Sequence, residues 1–206
     1  MKTGLVRLCG FLVLTGAAAC SSATDLVKPP PPEVPKFTCL DRSATMRLPA
    51  DLRASLPAFG ARVPDDAYVA ISQSVPGGFA GVFLEDSTFV LTFVDPGAAD
   101  RARPQIEQAF ESRGVAFFGL DMAKAEFRGA RWTFAELDEW FRYIVPKVGG
   151  PGSGVSSTDI DERANTVAFG VIDEAARARL EAQLASLNVS CNLVTTVISA
   201  YATYAN

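Results

Sequence analysis

Apolar and polar residues follow the same order in two stretches of this 206-residue chain. Residues 89–115 (FVLTFVDPGAADRARPQIEQAFESRGV) and 166–189 (TVAFGVIDEAARARLEAQLASLNV) each begin with an apolar strand that ends in Asp. Each continues with an Ala-rich helix and leads through Gly114 or Asn188 into a further β-rich run. The two stretches therefore predict an internal repeat.

Both predicted helices have recognisable starts and one apolar face. Asp95 and Asp173 are predicted N-caps, because an aspartate side chain accepts the free amides of a first helical turn. Pro104 interrupts the first helix, since an interior proline loses a hydrogen bond and clashes with the preceding turn, so we expect that helix to be kinked or to begin late. The predicted buried positions are Ala102, Ile106 and Phe110 in the first helix and Ala176, Leu180, Leu184 and Leu187 in the second.

A strand, an acidic turn and a second strand precede each helix, with turns at residues 85–87 and 161–165. Asp and Asn are favoured in turns because their side chains bond to the local backbone and tolerate left-handed geometry. The second segment, DIDERANT, also allows a calcium loop or an acid/base pair formed by Asp159 and Asp161. A calcium loop would need a glycine at the bend and a closing glutamate, which are missing here. We interpret both segments as hairpins.

The segment RWTFAELDEWFRYIV, between the repeats, predicts an amphipathic helix that starts with a Thr133/Glu136 capping box and stops at Pro146. Trp140 and Tyr143 lie beside its apolar stripe, where they either pack in the core or offer a surface to a partner.

Asp138 and Arg142 have the spacing of an exposed ion pair on the same helix. The glycine-rich run GGPGSG, residues 149–154, lacks the lysine and hydroxyl residue of a phosphate-binding loop, so it predicts a linker and no nucleotide.

These patterns predict an α+β fold with antiparallel-rich sheets. Two tandem lobes, each a β-hairpin, a helix and a strand, would be connected by the amphipathic helix. We expect an N-terminal extension over residues 38–78, the first lobe with the linking helix over 79–148, and the second lobe over 149–206.

Residues 1–19 have two basic residues, an apolar run and small residues at the end, which is typical of an export signal. Cys20 follows three alanines and resembles the lipobox cysteine of bacterial lipoproteins, on which a diacylglycerol thioether forms; ordinary cleavage after Ala19 is the alternative. The resemblance implies a lipid anchor in the bacterial cell envelope, and Ser21 points to the outer membrane. Residues 20–37, with four consecutive prolines, predict an extended tether.

Composition removes several function classes. The net charge is −4, and removal of the signal would make it more negative, which argues against nucleic acid binding. The chain has no histidine, so neither a Ser/His/Asp triad nor a His-ligated metal is available, and we expect no cofactor. Cys39 and Cys191 would remain after processing; in an oxidising compartment they predict a disulfide, with two buried free thiols as the alternative.

Residues 76–198, with the motifs PGGFAGVFLE, WTFAELDEW and STDIDERANTVAFGVIDEAARARL, resemble the repeated C-terminal part of prodomains of alpha-lytic protease and streptogrisin-type serine proteases. The resemblance implies a two-lobed domain that lays its sheet and C-terminal tail against a protease, which it inhibits and helps to fold. In this chain that tail is SAYATYAN, so Tyr201 and Tyr204 become possible contacts, unless the tail is simply a frayed terminus. Any protease partner would act in trans.

Three functions remain open. The first is a non-catalytic envelope lipoprotein that binds a protein or serves as a structural module. The second is a trans-acting inhibitor or folding helper of a secreted protease. The third is a histidine-free hydrolase that uses a carboxylate pair, for which Asp65 with Asp66 and Asp159 with Asp161 are the candidates.

Overall fold

The computed structural model describes residues 47–62, 64–114 and 121–199, which belong to the unit Val34–Asn206. The predicted signal, the tether, Cys20, Cys39, Tyr201 and Tyr204 lie outside the described residues.

The first lobe has the predicted order of elements. Its hairpin is antiparallel, and its third strand runs parallel to the second, so the sheet order is β1-β2-β3. The Asp95 side chain accepts a hydrogen bond from the Ala98 amide at 2.9 Å and caps the first helix, as predicted. The elements up to the end of this lobe are α1 Ala50–Ala54, α2 Asp65–Ser74, β1 Phe79–Glu85, β2 Thr88–Phe93, α3 Pro96–Arg101, α4 Arg103–Ser112 and β3 Glu126–Gly129.

The second lobe repeats this topology, with sheet order β4-β5-β6. Asp173 caps its helix through the Ala176 amide at 2.7 Å. The first strand of each lobe has a register irregularity at the equivalent place, between Phe79 and Gly81 and between Val155 and Ser157. The remaining elements are α5 Phe134–Val148, β4 Val155–Asp161, β5 Thr166–Val171, α6 Glu174–Ser186, a 3-10 turn Cys191–Leu193 and β6 Val194–Ile198.

The α+β class and the repeat are therefore confirmed, and each sheet combines an antiparallel hairpin with a parallel pair. The break at Pro104 is confirmed too, because α3 ends at Arg101 and α4 begins at Arg103. The predicted faces are buried at every position except Leu187, which is half-buried.

Helix α5 lies between the lobes. It packs against α2 and β1 on one side and against β4, β5 and α6 on the other. Its capping box is present as predicted. The helix continues through Pro146 to Val148, beyond the predicted end, because a proline so near the last turn removes a single intrahelical hydrogen bond.

Candidate interaction site

The acidic segment DIDERANT forms the tip of the β4–β5 hairpin, and this tip lies on the outer face of the first sheet. Alternate residues Gly81, Phe83 and Glu85 of β1 share that face, opposite the buried Val82. A Cβ atom built on Gly81 would lie 2.5 Å from Cβ of Glu162, so only glycine leaves room for the tip. We call the contact of residues 162–165 with β1 and with residues 130–132 the lobe seam.

Arg163 fixes the tip electrostatically. Its Nη1 lies 2.8 Å from Oε1 of Glu85, and its guanidinium carbon lies 4.8 Å from the centre of the Phe83 ring. Its Nη2 also donates to the Leu84 carbonyl at 3.0 Å. Since Arg128 of β3 pairs with the same Glu85 at 2.6 Å, one carboxylate links both outer strands of the first sheet to the second lobe.

Asn165 closes the seam through the backbone. Its Oδ1 accepts hydrogen bonds from the amides of Arg131 at 2.9 Å and Trp132 at 2.8 Å, and its Nδ2 donates to the Trp132 carbonyl at 3.0 Å. The residue is 8% exposed and has a φ of 54°, a left-handed conformation that asparagine tolerates better than most residues. The hairpin interpretation is confirmed, and the hairpin also joins the lobes.

The four carboxylates proposed as acid/base pairs each form a hydrogen bond or an ion pair with a nearby group. Asp161 Oδ1 accepts from the Ala164 amide within the turn at 2.8 Å, and Asp159 Oδ1 accepts from the Ile160 amide at 2.9 Å. Asp66 accepts from the Arg62 amide at 3.0 Å, and Asp65 pairs with the Arg62 guanidinium at 3.2 Å.

Glu162 is the carboxylic acid that sequence reasoning missed. Burial, and then the charges of Asp159, Asp65 and Asp161, raise its pKa to about 7. Burial also raises the pKa of Asp65, although Arg62 opposes that shift. Within residues 47–62, 64–114 and 121–199, no group of three or more His, Cys, Asp or Glu side chains could hold a metal ion.

A groove of about 560 Å³ lies beside the seam. Its polar side chains are Arg131, Arg163, Asn165 and Asn192, and the lining described has no carboxylate and no hydroxyl or thiol group. A groove without such groups does not assemble an acid/base or nucleophile pair.

Helix α5 buries two side chains whose place the sequence left open and a third that it predicted to be exposed. Trp140 and Tyr143 are 5% and 9% exposed, which favours core packing over the alternative of a partner surface, because α5 has one lobe on each side and buries more than a single stripe. The predicted exposed pair is corrected. Asp138 is buried, accepts a hydrogen bond from Arg62 Nη2, and lies 3.8 Å from Arg142 Nη1.

The described sheets have four edge strands, and three of them are protected. Ser72 of α2 donates to the Phe79 carbonyl of β1 at 2.8 Å, and Arg163 binds the other end of that strand. Strand β3 carries the Glu126–Arg128 ion pair, and β4 has an irregular register and an exposed Asp159. Charges and irregularities of this kind discourage pairing with other chains.

Strand β6 is the edge without such protection. Its sequence, VTTVI, has no charge and no proline, and Val197 and Ile198 are 56% and 40% exposed. It is also five residues long, whereas its counterpart β3 has four. An uncharged, β-branched edge of this length is the most receptive strand for an added chain in the part of the protein that is described.

Cys191 begins the 3-10 turn that leads into β6. Because Cys39 lies outside the described residues, the disulfide between them stays a prediction.

A scan against protein-family models finds no match for this chain, and a search of curated proteins finds none. None of the helices in the described ranges has both the length and the apolar character that crossing a bilayer requires.

Proposed function

We propose that this chain is a non-catalytic lipoprotein of the bacterial cell envelope that binds another protein chain through strand β6. The observation that carries the proposal is the uncharged edge of the second sheet, whose strand also has two exposed apolar side chains, Val197 and Ile198. Main-chain hydrogen bonds from an added strand would supply affinity, and the neighbouring apolar side chains would supply selectivity.

The first test is capture of a protein from envelope extract. We expect the wild-type chain to retain a specific protein and Val197→Lys to lose it, because a lysine on an edge strand opposes pairing. Leu84→Lys is the matched control, since Leu84 has the same 56% exposure but lies at the tip of the first hairpin. Capture that survives Val197→Lys would contradict the proposal.

The lipid anchor is tested separately, at Cys20. Cells grown with labelled palmitate should label the wild-type protein and leave Cys20→Ser unlabelled. The variant should also leave the membrane fraction, because the thioether can form only on the cysteine. Labelling that persists in Cys20→Ser would place any lipid elsewhere and contradict this part of the proposal.

A second candidate is a trans-acting inhibitor or folding helper of a secreted serine protease. Two lobes, each with a hairpin, a helix and a parallel third strand, favour it, since the prodomains that the sequence resembles have repeated lobes of this kind. Inhibition of a secreted serine protease from the same bacterium, lost on deletion of residues 199–206, would support this candidate. Absence of inhibition against every such protease would remove it.

A further inference from the structure

We infer that β6 pairs with β6 of a second copy of this chain, antiparallel and centred on Thr196. This inference rests on the proposed function, because it names the partner of the same strand. Pairing of the two edges would join two three-stranded sheets into one six-stranded sheet about a two-fold axis.

The hydrogen bonds inside the sheet show which backbone groups of β6 are open. The Ser199 amide donates to the Val171 carbonyl at 2.8 Å, and β5 and β6 are parallel. Because alternate residues of a parallel strand bond to the same neighbour, residues 195 and 197 also face β5. The amide and carbonyl groups of residues 196 and 198 therefore face outward. At Val194 only the carbonyl is open, because its amide donates to Cys191.

A two-fold axis at Thr196 places these open groups opposite one another. Thr196 then faces Thr196 of the second copy, and Val194 faces Ile198. The open amides and carbonyls would form about four backbone hydrogen bonds between the chains. A two-fold axis at residue 195 would leave Ile198 without an outward-facing residue opposite it, and an axis at residue 197 would leave Val194 without one. The geometry therefore favours an axis at Thr196.

The side chains are complementary in the same register. Val194 would lie opposite Ile198 on the core side of the sheet, and Thr195 opposite Val197 on the outer side. Pairs of β-branched residues stabilise antiparallel strands, and no like charges meet, since all five residues are uncharged. The equivalent strand β3 carries Glu126 and Arg128, which already pair with each other. A second copy is therefore an occupant that fits every position of β6.

The contact is small, so the dimer should be weak in solution. Five residues per chain bury less area than a stable protein interface needs. An anchor in a common membrane would raise the local concentration of copies and favour pairing there.

The test is sedimentation velocity on the purified full chain between about 1 µM and about 1 mM, the range in which a contact of this size would show. The wild type should form dimers as its concentration rises. Thr196→Lys and Thr196→Glu should each weaken dimerisation at least about tenfold, because residue 196 would face its own charge. An equal mixture of the two variants should regain it, since the introduced lysine of one chain would then face the introduced glutamate of the other.

Two controls keep the test decisive. Leu84→Lys adds the same charge at an exposed residue away from β6 and should dimerise like the wild type. If a Thr196 variant loses its native circular dichroism, a mixture of Val197→Lys with Thr195→Glu tests the same register, since these positions face each other across the axis.

A wild-type chain that stays monomeric at about 1 mM would overturn the inference. Dimers that both Thr196 variants retain, or a mixture that fails to recover them, would also overturn it. The proposed function fails on a different result, namely a capture experiment that Val197→Lys leaves unchanged. A monomeric chain that still loses its captured protein through Val197→Lys would keep the proposed function and exclude self-pairing.

Discussion

Glu162 combines a structural position with an unusual ionisation. It lies against Gly81 in the lobe seam, and its pKa of about 7 exceeds the ordinary glutamate value of 4.5. The unfolded chain therefore releases this proton first as the pH rises, while the folded chain still holds it. Folding stability is unaffected by this group below about pH 4.5, falls between about pH 4.5 and 7, and stays lower above pH 7.

Glu162→Gln removes the ionisation and keeps the shape of the side chain. We expect the free energy of unfolding to rise by about 3 kcal/mol at pH 8 and to change little at pH 4. Urea unfolding of both proteins at pH 4, 6 and 8 measures the difference. Glu107→Gln, at an exposed position of α4, is the control and should show no such trend. A gain of equal size at pH 4 and pH 8 would contradict the assignment.

Asn165 allows a separate measurement of the seam. Asn165→Ala removes three hydrogen bonds and leaves the amides of Arg131 and Trp132 unpaired near the core, so we expect a loss of about 3 kcal/mol in the free energy of unfolding. Asn188→Ala is the matched control, because Asn188 has the same left-handed φ, 55°, at an exposed helix end. It should cost about 1 kcal/mol. Equal losses at the two sites would show that the hydrogen bonds contribute little.

The roles of some side chains could be predicted from sequence because they bind groups that are close to them in the chain. Asp95, Asp173 and Asp161 bind amides three positions further along the chain, so their roles follow from neighbouring residues alone. Glu162 lies against Gly81 and Asp138 against Arg62, which are far away in sequence, and nothing in their own segments shows that burial. Their burial could not be predicted because the sequence does not show which distant elements cover a given side chain.

At the scale of elements, strands and helices were predictable while their packing was not. The repeat and the Pro104 break are periodic or steric signals within short segments. Trp140 and Tyr143 lie on the same side of α5, with ring centroids 5.8 Å apart, and their burial depends on elements that pack on α5 from elsewhere in the chain. The exposure of β6 likewise depends on sheet order, since β5 lies between β4 and β6.

The first hairpin contains a turn that its sequence does not optimise. Asp86 and Ser87 both have positive φ, 45° and 68°, in a two-residue connection between β1 and β2. Such turns favour glycine at the second position, so Ser87→Gly should raise the free energy of unfolding by about 1 kcal/mol. Ser87→Ala keeps the left-handed strain and should not stabilise the protein. Thermal unfolding of the three proteins compares them, and a Ser87→Gly variant no more stable than Ser87→Ala would refute the explanation.

The two lobes have the same topology but different surroundings in the whole molecule. The outer face of the first sheet is covered by the β4–β5 tip, through Glu162 and Arg163. At the positions equivalent to Gly81 and Phe83, the second lobe has Ser157 and Asp159, which are polar. Two lobes of the same topology thus differ: the tip of the β4–β5 hairpin covers the outer face of the first sheet, whereas the second sheet has an unpaired edge at β6.

Gly81 tests whether the seam joins the lobes into one cooperative unit. Gly81→Ala should lower the free energy of unfolding by about 3 kcal/mol, because its φ of 146° strains any side chain and the new Cβ would overlap Glu162. Adding Glu162→Gly removes the overlap and leaves the strain, so the double variant should recover about 1 kcal/mol relative to additivity. Gly129→Ala, where no atom lies within 4 Å of the new Cβ, is the control.

Urea unfolding followed by tryptophan fluorescence and by far-ultraviolet circular dichroism distinguishes the outcomes. We expect both signals of the wild type to follow a single transition. We also expect the free-energy changes of Gly81→Ala and Glu162→Gly not to add up in the double variant. Trp132 lies in the seam and Trp140 in α5, so tryptophan fluorescence reports on both. Separation of the two signals in Gly81→Ala would mean that the seam alone holds the lobes together. Coincident signals in that variant would instead assign most of the coupling to α5, which packs against both sheets whether or not the tip is seated.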